Sequence, residues 1–188
     1  MAEVNIPLVS IIVNCFNGEK YLNEALKSLQ NQTYNNWEVV FWDNQSTDSS
    51  AEIFKSYKDK RFNYYYSKKN YPLYKARKLA LRKCKGNLIA FLDVDDWWHK
   101  EKLSQQVKKF NKKNIGLVYS NLFLFNARTK KYKLWSKNSL PEGSISSKLL
   151  NNYNIGLLTV MINKKILKKF NLNFNSNYKI IGDFDLFL

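Results

Sequence analysis

Three carboxylates crowd the end of one apolar run, Phe91-Leu92-Asp93-Val94-Asp95-Asp96. If extended geometry persists past Leu92, Asp93 and Asp95 project to the same side about 6 Å apart, and at an effective dielectric near 20 they repel by roughly 3 kcal/mol. A bound divalent cation removes that repulsion. The all-oxygen donor set suits Mg²⁺ or Mn²⁺, with coordination completed by water and a substrate diphosphate. The same residues also read as a solvated turn in which Asp96 caps the next helix.

A second acidic segment, Trp42-Asp43-Asn44-Gln45-Ser46-Thr47-Asp48, closes another apolar run. Asp43 there can accept from a nucleobase N–H or a ribose hydroxyl. Equally, Asp43, Asn44 and Ser46 can form a hydrogen-bonded turn into the following helix. Near the C-terminus, Gly182-Asp183-Phe184-Asp185-Leu186 offers Asp183 or Asp185 as a general base, although both also suit the first turn of a helix. Among Lys75, Arg77, Lys78, Arg82 and Lys83, Arg77 is singled out as ligand-facing and the others as solvated. His99 follows two tryptophans and reads as packing or surface, without a role in chemistry.

These residues need a scaffold, and the hydrophobic pattern supplies one. The β-branched run Val9 to Val13 reads as a buried strand ended by the Asn17-Gly18 turn. From Glu19 to Gln30, Leu22, Ala25, Leu26 and Leu29 recur at the spacing of an amphipathic helix. The alternation continues: strand Trp37 to Trp42, helix Ser49 to Tyr57 with a Ser49/Glu52 capping box, strand Phe62 to Tyr66, helix Leu73 to Lys85, strand Leu88 to Leu92. Such alternation predicts an α/β fold, a mostly parallel Rossmann-like sheet with helices on both faces. Ligands bind beyond the carboxyl ends of such strands, which puts Asp43 and Asp93 on one edge. After Trp98 a helix over Lys100 to Phe110 and short strands at Ile115 to Tyr119, Leu122 to Asn126 and Tyr132 to Trp135 predict a smaller α+β extension with a hairpin. Residues 136–147 are polar and read as a loop.

A chain of 188 residues with 45% hydrophobic and 15% aromatic content can bury a real core, which excludes disorder of the whole. Lys plus Arg number 31 against 15 acidic residues, a formal charge of +16 that points to an anionic partner such as a nucleotide sugar, a lipid phosphate or nucleic acid. Individual lysines such as Lys108, Lys109 and Lys112 solvate helix faces. Cys15 and Cys84 are too few for a disulfide framework and lack metal-ligand spacing with His99, so a reducing cytoplasm and no structural zinc are expected. The N-terminus shows no apolar leader, and no apolar run approaches the roughly 20 residues of a membrane span.

Taken together, the segments resemble the family 2 glycosyltransferases of A-type fold that act in bacterial polysaccharide and lipo-oligosaccharide synthesis. The resemblance rests on Val9 through Leu22, on Gln32-Thr33-Tyr34 with Trp37-Glu38, on Asp43 through Asp48, on Ala76-Arg77-Lys78, on Asp93-Val94-Asp95, and on Gly182 through Leu186. It implies that Cys15 and Asn17 line the nucleotide pocket, Asp43 contacts the base, Arg77 supports the nucleotide, Asp93 faces ribose or metal, Asp95 holds the metal and Asp183 is the base. It also implies residues 1–188 as a single catalytic domain, with 1–103 binding the nucleotide sugar and 104–188 on the acceptor side. The family pattern continues past the point matched by Leu188, so a longer protein is expected.

By that resemblance the expected activity is inverting and metal-dependent transfer from a nucleotide diphosphate sugar, a UDP-sugar, to a glycan or lipid-linked acceptor, using Mn²⁺ or Mg²⁺. The expected location is cytoplasmic with peripheral contact to an anionic membrane surface, and nucleic acid is not the expected partner. Three positions depart from the family: Asn14 stands where Pro is common, Lys78 where Asn is usual, and Gly182 where Glu is usual. The competing readings are a sugar-phosphate nucleotidyltransferase and a nucleic-acid-binding module. The loop Asn14 to Lys20, with one glycine and no phosphate-cradling cluster, argues against the first. The clustered carboxylates argue against the second.

Overall fold

The structure, a computed structural model, describes residues 6–112 and 114–188; the first five residues, on which the reading of a leader-free N-terminus partly rests, lie outside that range. Four strands pair in parallel: β1 (Val9–Cys15), β2 (Trp37–Asp43), β3 (Phe62–Tyr66) and β4 (Leu88–Phe91), in the order β3-β2-β1-β4. Every residue of β2 is buried, as expected of a strand covered on both faces.

Helix α1 (Glu19–Gln30) lays Leu22, Ala25, Leu26 and Leu29 on one face of the sheet, all with no exposed surface. Each leucine so buried contributes about 1.5–3 kcal/mol relative to exposure. Phe54 of α2 (Ser50–Ser56) and Leu103 and Val107 of α4 (Lys102–Lys109) complete that side of the core. The opposite face takes Tyr74, Ala76 and Ala80 of α3 (Leu73–Leu81). The Ser49/Glu52 capping box does not form. Ser49 has φ −76° and ψ 11°, outside the extended region a capping residue needs, and its side chain makes no cap bond. Asp48 Oδ1 instead accepts from the Ser50 N–H at 3.0 Å.

The extension is more integrated than expected. Strand β5 (Leu117–Val118) joins the main sheet through β8 (Met161–Asn163), which runs antiparallel between β4 and β5. The separate hairpin of β6 (Phe123–Asn126) and β7 (Lys131–Leu134) forms where expected. Two short helices, α5 (Ser146–Asn151) and α6 (Lys164–Lys169), set Leu149 and Leu167 into the α3 side of the core. The last helix, α7 (Gly182–Phe187), adds Leu186 there. No helix among the described residues is long and apolar enough to cross a membrane.

Candidate active site

The parallel register sets Cys15 beside Asp43 and Asp43 beside Tyr66 at the carboxyl edge of the sheet. Leu92 N–H donates to Ile12 C=O at 3.0 Å, so the chain leaving β4 follows β1 outward and delivers Asp93 to the same edge. One residue back, Asn14 and Trp42 are register partners, and Asn14 Nδ2 and Trp42 Nε1 are both buried with no hydrogen-bond partner among the described residues. Buried N–H groups without acceptors are costly, by about 1–3 kcal/mol each, which a ligand oxygen can relieve.

Above β1 and β2 two loops bind each other reciprocally. Asn17, at φ 54°, donates its N–H to Ser46 Oγ (3.1 Å), and its Oδ1 accepts from the Thr47 N–H (2.8 Å). Gly18 N–H donates to Ser50 Oγ (2.9 Å) and Glu19 N–H to Asp48 Oδ2 (2.9 Å), so the acidic turn also caps α1. Burial pushes the Asp48 carboxyl up, but the hydrogen bonds it accepts from Ser50 and Glu19 outweigh that and hold it below its ordinary range.

This arrangement sets two of the expected pocket residues beneath the loops. Asp43 is 0% exposed, its Oδ1 accepting from the Ser46 N–H (2.7 Å) and its Oδ2 from the Tyr64 hydroxyl (2.5 Å), so the turn reading is realised. Cys15 is 2% exposed, with Sγ 3.7 Å from Ser46 Oγ, and burial pushes its thiol up. Both residues hold the loops from beneath, whereas Asn17 is exposed at the rim. Burial and the Asp43 charge raise the Tyr64 hydroxyl well above its ordinary value, so it remains a donor.

The carboxylate cluster also departs from strand geometry. Regular pairing of β4 ends at Phe91, and Asp93 to Asp96 closes a turn in which Asp96 N–H donates to Asp93 C=O (3.1 Å). Alternation along a strand therefore does not set the Asp93 and Asp95 directions. Asp93 Oδ1 instead accepts from Arg77 Nη2 at 2.8 Å, with the Arg77 side chain 7% and the Asp93 side chain 39% exposed. Asp95 is exposed, and Asp96 caps nothing, since α4 begins at Lys102. Burial first, and then the charges of Asp93 and Asp95, push the Asp96 carboxyl up to about 6. Neither Asp95 nor Asp96 has an ion-pair partner among the described residues. That excess of unneutralised oxygen ligands fits a hard divalent cation. Among the described residues no three His, Cys, Asp or Glu converge as a closed set, so the fit is to an open site whose remaining ligands are water and substrate oxygens.

Helix α3 ties this cluster to the C-terminal motif. Tyr74 and Arg77 lie three residues apart on one helix face. Arg77 reaches Asp93, and the Tyr74 hydroxyl donates to Asp183 Oδ1 at 3.3 Å. The Tyr153 hydroxyl donates to Asp183 Oδ2 at 2.8 Å. Asp183 is half-buried in the first turn of α7, and Asp185 is exposed. Both readings of that motif thus coexist: a short helix begins there, and Asp183 folds back to the sheet edge. Gly182 has its own reason to lack a side chain, because a Cβ would sit 2.8 Å from the Tyr74 ring. The tyrosines were not anticipated. Tyr74 is legible as the i−3 neighbour of Arg77, whereas Tyr153 lies in a stretch without periodicity. His99 contributes its carbonyl to Gln32 Nε2 (2.9 Å) and stays outside the cluster.

Comparison with known proteins decides the family. The profile of "Glycosyl transferase family 2" matches residues 10–174. The chain belongs to that family. The match includes Cys15 through Asp95 and ends before Asp183. The chain is 33% identical over 89% of its length to the Escherichia coli protein named UDP-Glc:alpha-D-GlcNAc-diphosphoundecaprenol beta-1,3-glucosyltransferase WfgD. It is 30% identical over 85% of its length to the Bacillus subtilis putative teichuronic acid biosynthesis glycosyltransferase TuaG. It spans 64% of WfgD and 63% of TuaG, less than two thirds of either. Among solved structures, S. aureus TarS 1-349 in complex with UDP superposes with a TM-score of 0.74 at 23% identity, over 93% of this chain and 52% of that one. The Pyrobaculum calidifontis mannosyltransferase PcManGT in complex with GDP-Man and Mn²⁺ superposes with a TM-score of 0.70 at 18% identity, over 93% and 49%. These two likenesses confirm the mostly parallel α/β fold.

Proposed function

We propose that this family 2 glycosyltransferase chain moves a sugar from a UDP-sugar to a hydroxyl of a lipid-linked glycan, with inversion at the anomeric carbon and with help from Mn²⁺ or Mg²⁺. The observation that carries the reading is the bridge made by α3, whose Arg77 and Tyr74 hold Asp93 and Asp183 in one constellation although the two aspartates lie far apart in sequence. The names of the relatives support the donor and the acceptor: WfgD is named for UDP-Glc and a diphosphoundecaprenol acceptor.

In this reading Asp183 takes the proton of the acceptor hydroxyl as its oxygen attacks the anomeric carbon, and the nucleoside diphosphate leaves from the opposite side. Tyr74 and Tyr153 fix the carboxylate in position. Asn17 at the rim contacts the nucleotide directly, while Cys15 and Asp43 hold the two loops that present it. Arg77 keeps Asp93 ordered beside the diphosphate. Asp95, with Asp93, would hold the divalent cation, which when bound stabilises negative charge on the departing diphosphate. The acceptor side is formed by residues 104–188, and the chain works at the cytoplasmic face of a membrane.

Calorimetric titration of UDP, GDP, CDP and dTDP, each with and without Mn²⁺, into the wild-type chain and Asp95→Ala tests this reading. The expected outcome is metal-dependent binding of UDP alone, lost in the variant. Binding of no nucleotide, or equal binding by the variant, removes the donor site as drawn. Nuclear magnetic resonance of the product linkage then checks inversion.

A further inference from the structure

The hairpin β6–β7 is an amphipathic ribbon that packs one face with rings and presents the other as charge. Its register pairs Phe123 with Leu134 and Phe125 with Tyr132, which places these four side chains on one face, and Leu124 with Lys133 and Asn126 with Lys131 on the other. Phe123 is 67%, Tyr132 61% and Trp135 49% exposed. Five cations, Arg128, Lys130, Lys131, Lys133 and Lys137, are all exposed around it, and no acidic residue occurs between Lys102 and Pro141. Among the described residues neither strand pairs with the main sheet.

The ribbon is anchored at the candidate active site. Phe125 packs edge-on against Trp97, ring centroids 5.4 Å apart, and Trp97 directly follows the Asp93–Asp96 turn. Whatever surface the apolar face meets is therefore held close to the carboxylate cluster.

We propose that the β6–β7 ribbon docks the chain on an anionic lipid surface, its apolar face entering the headgroup boundary and its cations lying at the phosphates. Aromatic and aliphatic side chains interleaved with lysines suit that interface, where rings sit at headgroup depth and basic side chains reach outward. A second copy of the chain is disfavoured as the occupant, because a net charge of +16 repels itself. Single-stranded nucleic acid is disfavoured because the rings are inclined to one another, at 85° for Phe123 with Tyr132, 76° for Trp97 with Phe125 and 38° for Phe125 with Tyr132, and so do not offer a set of parallel stacking planes. The purpose of the docking rests on the lipid-linked acceptor proposed above, but its measurement does not.

The test is flotation of the wild-type chain with phosphatidylglycerol-containing vesicles and with pure phosphatidylcholine vesicles, repeated with Phe123→Ser/Tyr132→Ser and with Lys131→Glu/Lys133→Glu. The wild type is expected to float with the anionic vesicles only. Each double variant is expected to bind them at least tenfold more weakly while its thermal transition and UDP titration match the wild type. Equal flotation of variants and wild type, no flotation of the wild type, or equal binding to both vesicle types overturns the proposal. So does a dimer by light scattering that the Phe123→Ser/Tyr132→Ser variant dissociates, or displacement from vesicles by stoichiometric oligo-uridine. If the ribbon docks vesicles while no nucleotide binds, the transferase reading fails and the docking surface stands.

Discussion

Tyr153 donates its hydroxyl to Asp183 Oδ2 at 2.8 Å while Tyr74 approaches Oδ1 at 3.3 Å, so both oxygens of the candidate base are held by rings from different parts of the chain. Burial and the Asp183 charge push the Tyr153 hydroxyl far above its ordinary range, and it stays a donor at every working pH. Asp183→Asn is expected to bind nucleotide normally and to lose about 10²–10⁴ in turnover, the range for a positioned base. Tyr153→Phe is expected to lower kcat by roughly tenfold through loss of one charge-assisted hydrogen bond, with donor KM unchanged. Steady-state kinetics separates the two constants, and a loss confined to KM would assign Tyr153 to donor binding instead.

Gly182 packs face-on against Tyr74 with no room for a side chain. Its Cβ position is 2.8 Å from the Tyr74 ring, which is buried at 5% exposure, so an added methyl must displace the ring that donates to Asp183. Gly182→Ala is expected to cost about 1–3 kcal/mol of stability by overpacking. Turnover should fall with it. Tyr74→Leu in the same background makes room and should recover stability without recovering turnover, which denaturant titration and initial rates together resolve.

Much of the scaffold was legible because burial leaves a period in the sequence. The runs at Val9 and Trp37, the stripe of α1 and the two acidic turns all followed from spacing, and the edge that gathers Asp43 and Asp93 followed from topology. What stayed illegible was local. Nothing in the Asp43 segment reveals that the Tyr64 hydroxyl, from the neighbouring strand, donates to its Oδ2. The direction of Asp95 was inferred from strand alternation that ends before it. Strand β8 was missed although Val160-Met161-Ile162 is a buried apolar run, because a three-residue strand carries too little periodicity to stand out.

Gly86 gives a test of the fold itself. A Cβ there would lie 2.6 Å from both Leu8 O and Ser10 N, backbone atoms at the start of the central strand that cannot yield. The same corner buries Glu38, whose Oε1 accepts from Ser10 Oγ (2.6 Å) and Lys85 N–H (2.7 Å). Gly86→Ala is expected to destabilise the chain by about 3 kcal/mol or more, in the tail of single-substitution effects. A chemical-denaturation midpoint close to that of the wild type would mean that the α3–β4 connection is not packed against β1 as described.

Lys102 supplies the pH dependence. It opens α4, where a positive charge opposes the helix dipole, and although the residue is only half-buried, desolvation of its ammonium lowers it to about 7. Its position 4.0 Å over the Trp98 ring and its 2.7 Å bond to Gln106 Oε1 favour the charged form and oppose that shift. The unfolded chain keeps this proton to about pH 10.4. Between about 7 and 10 the unfolded chain therefore binds more protons than the native one, and stability rises with pH by at most about 1.4 kcal/mol per unit. Below about 7 the penalty is complete and constant. The Cys15 and Cys84 thiols, both pushed up by burial, act in the opposite sense as pH nears the ordinary thiol range of about 8.5, and the Asp96 carboxyl, raised to about 6, acts only at the acid end, so pH 6.5 to 7.5 is the window in which Lys102 dominates. Across that window the thermal midpoint of the wild type is expected to climb. Lys102→Met should start higher at pH 6.5 and stay flat; a variant that climbs in parallel with the wild type would place the titrating group elsewhere.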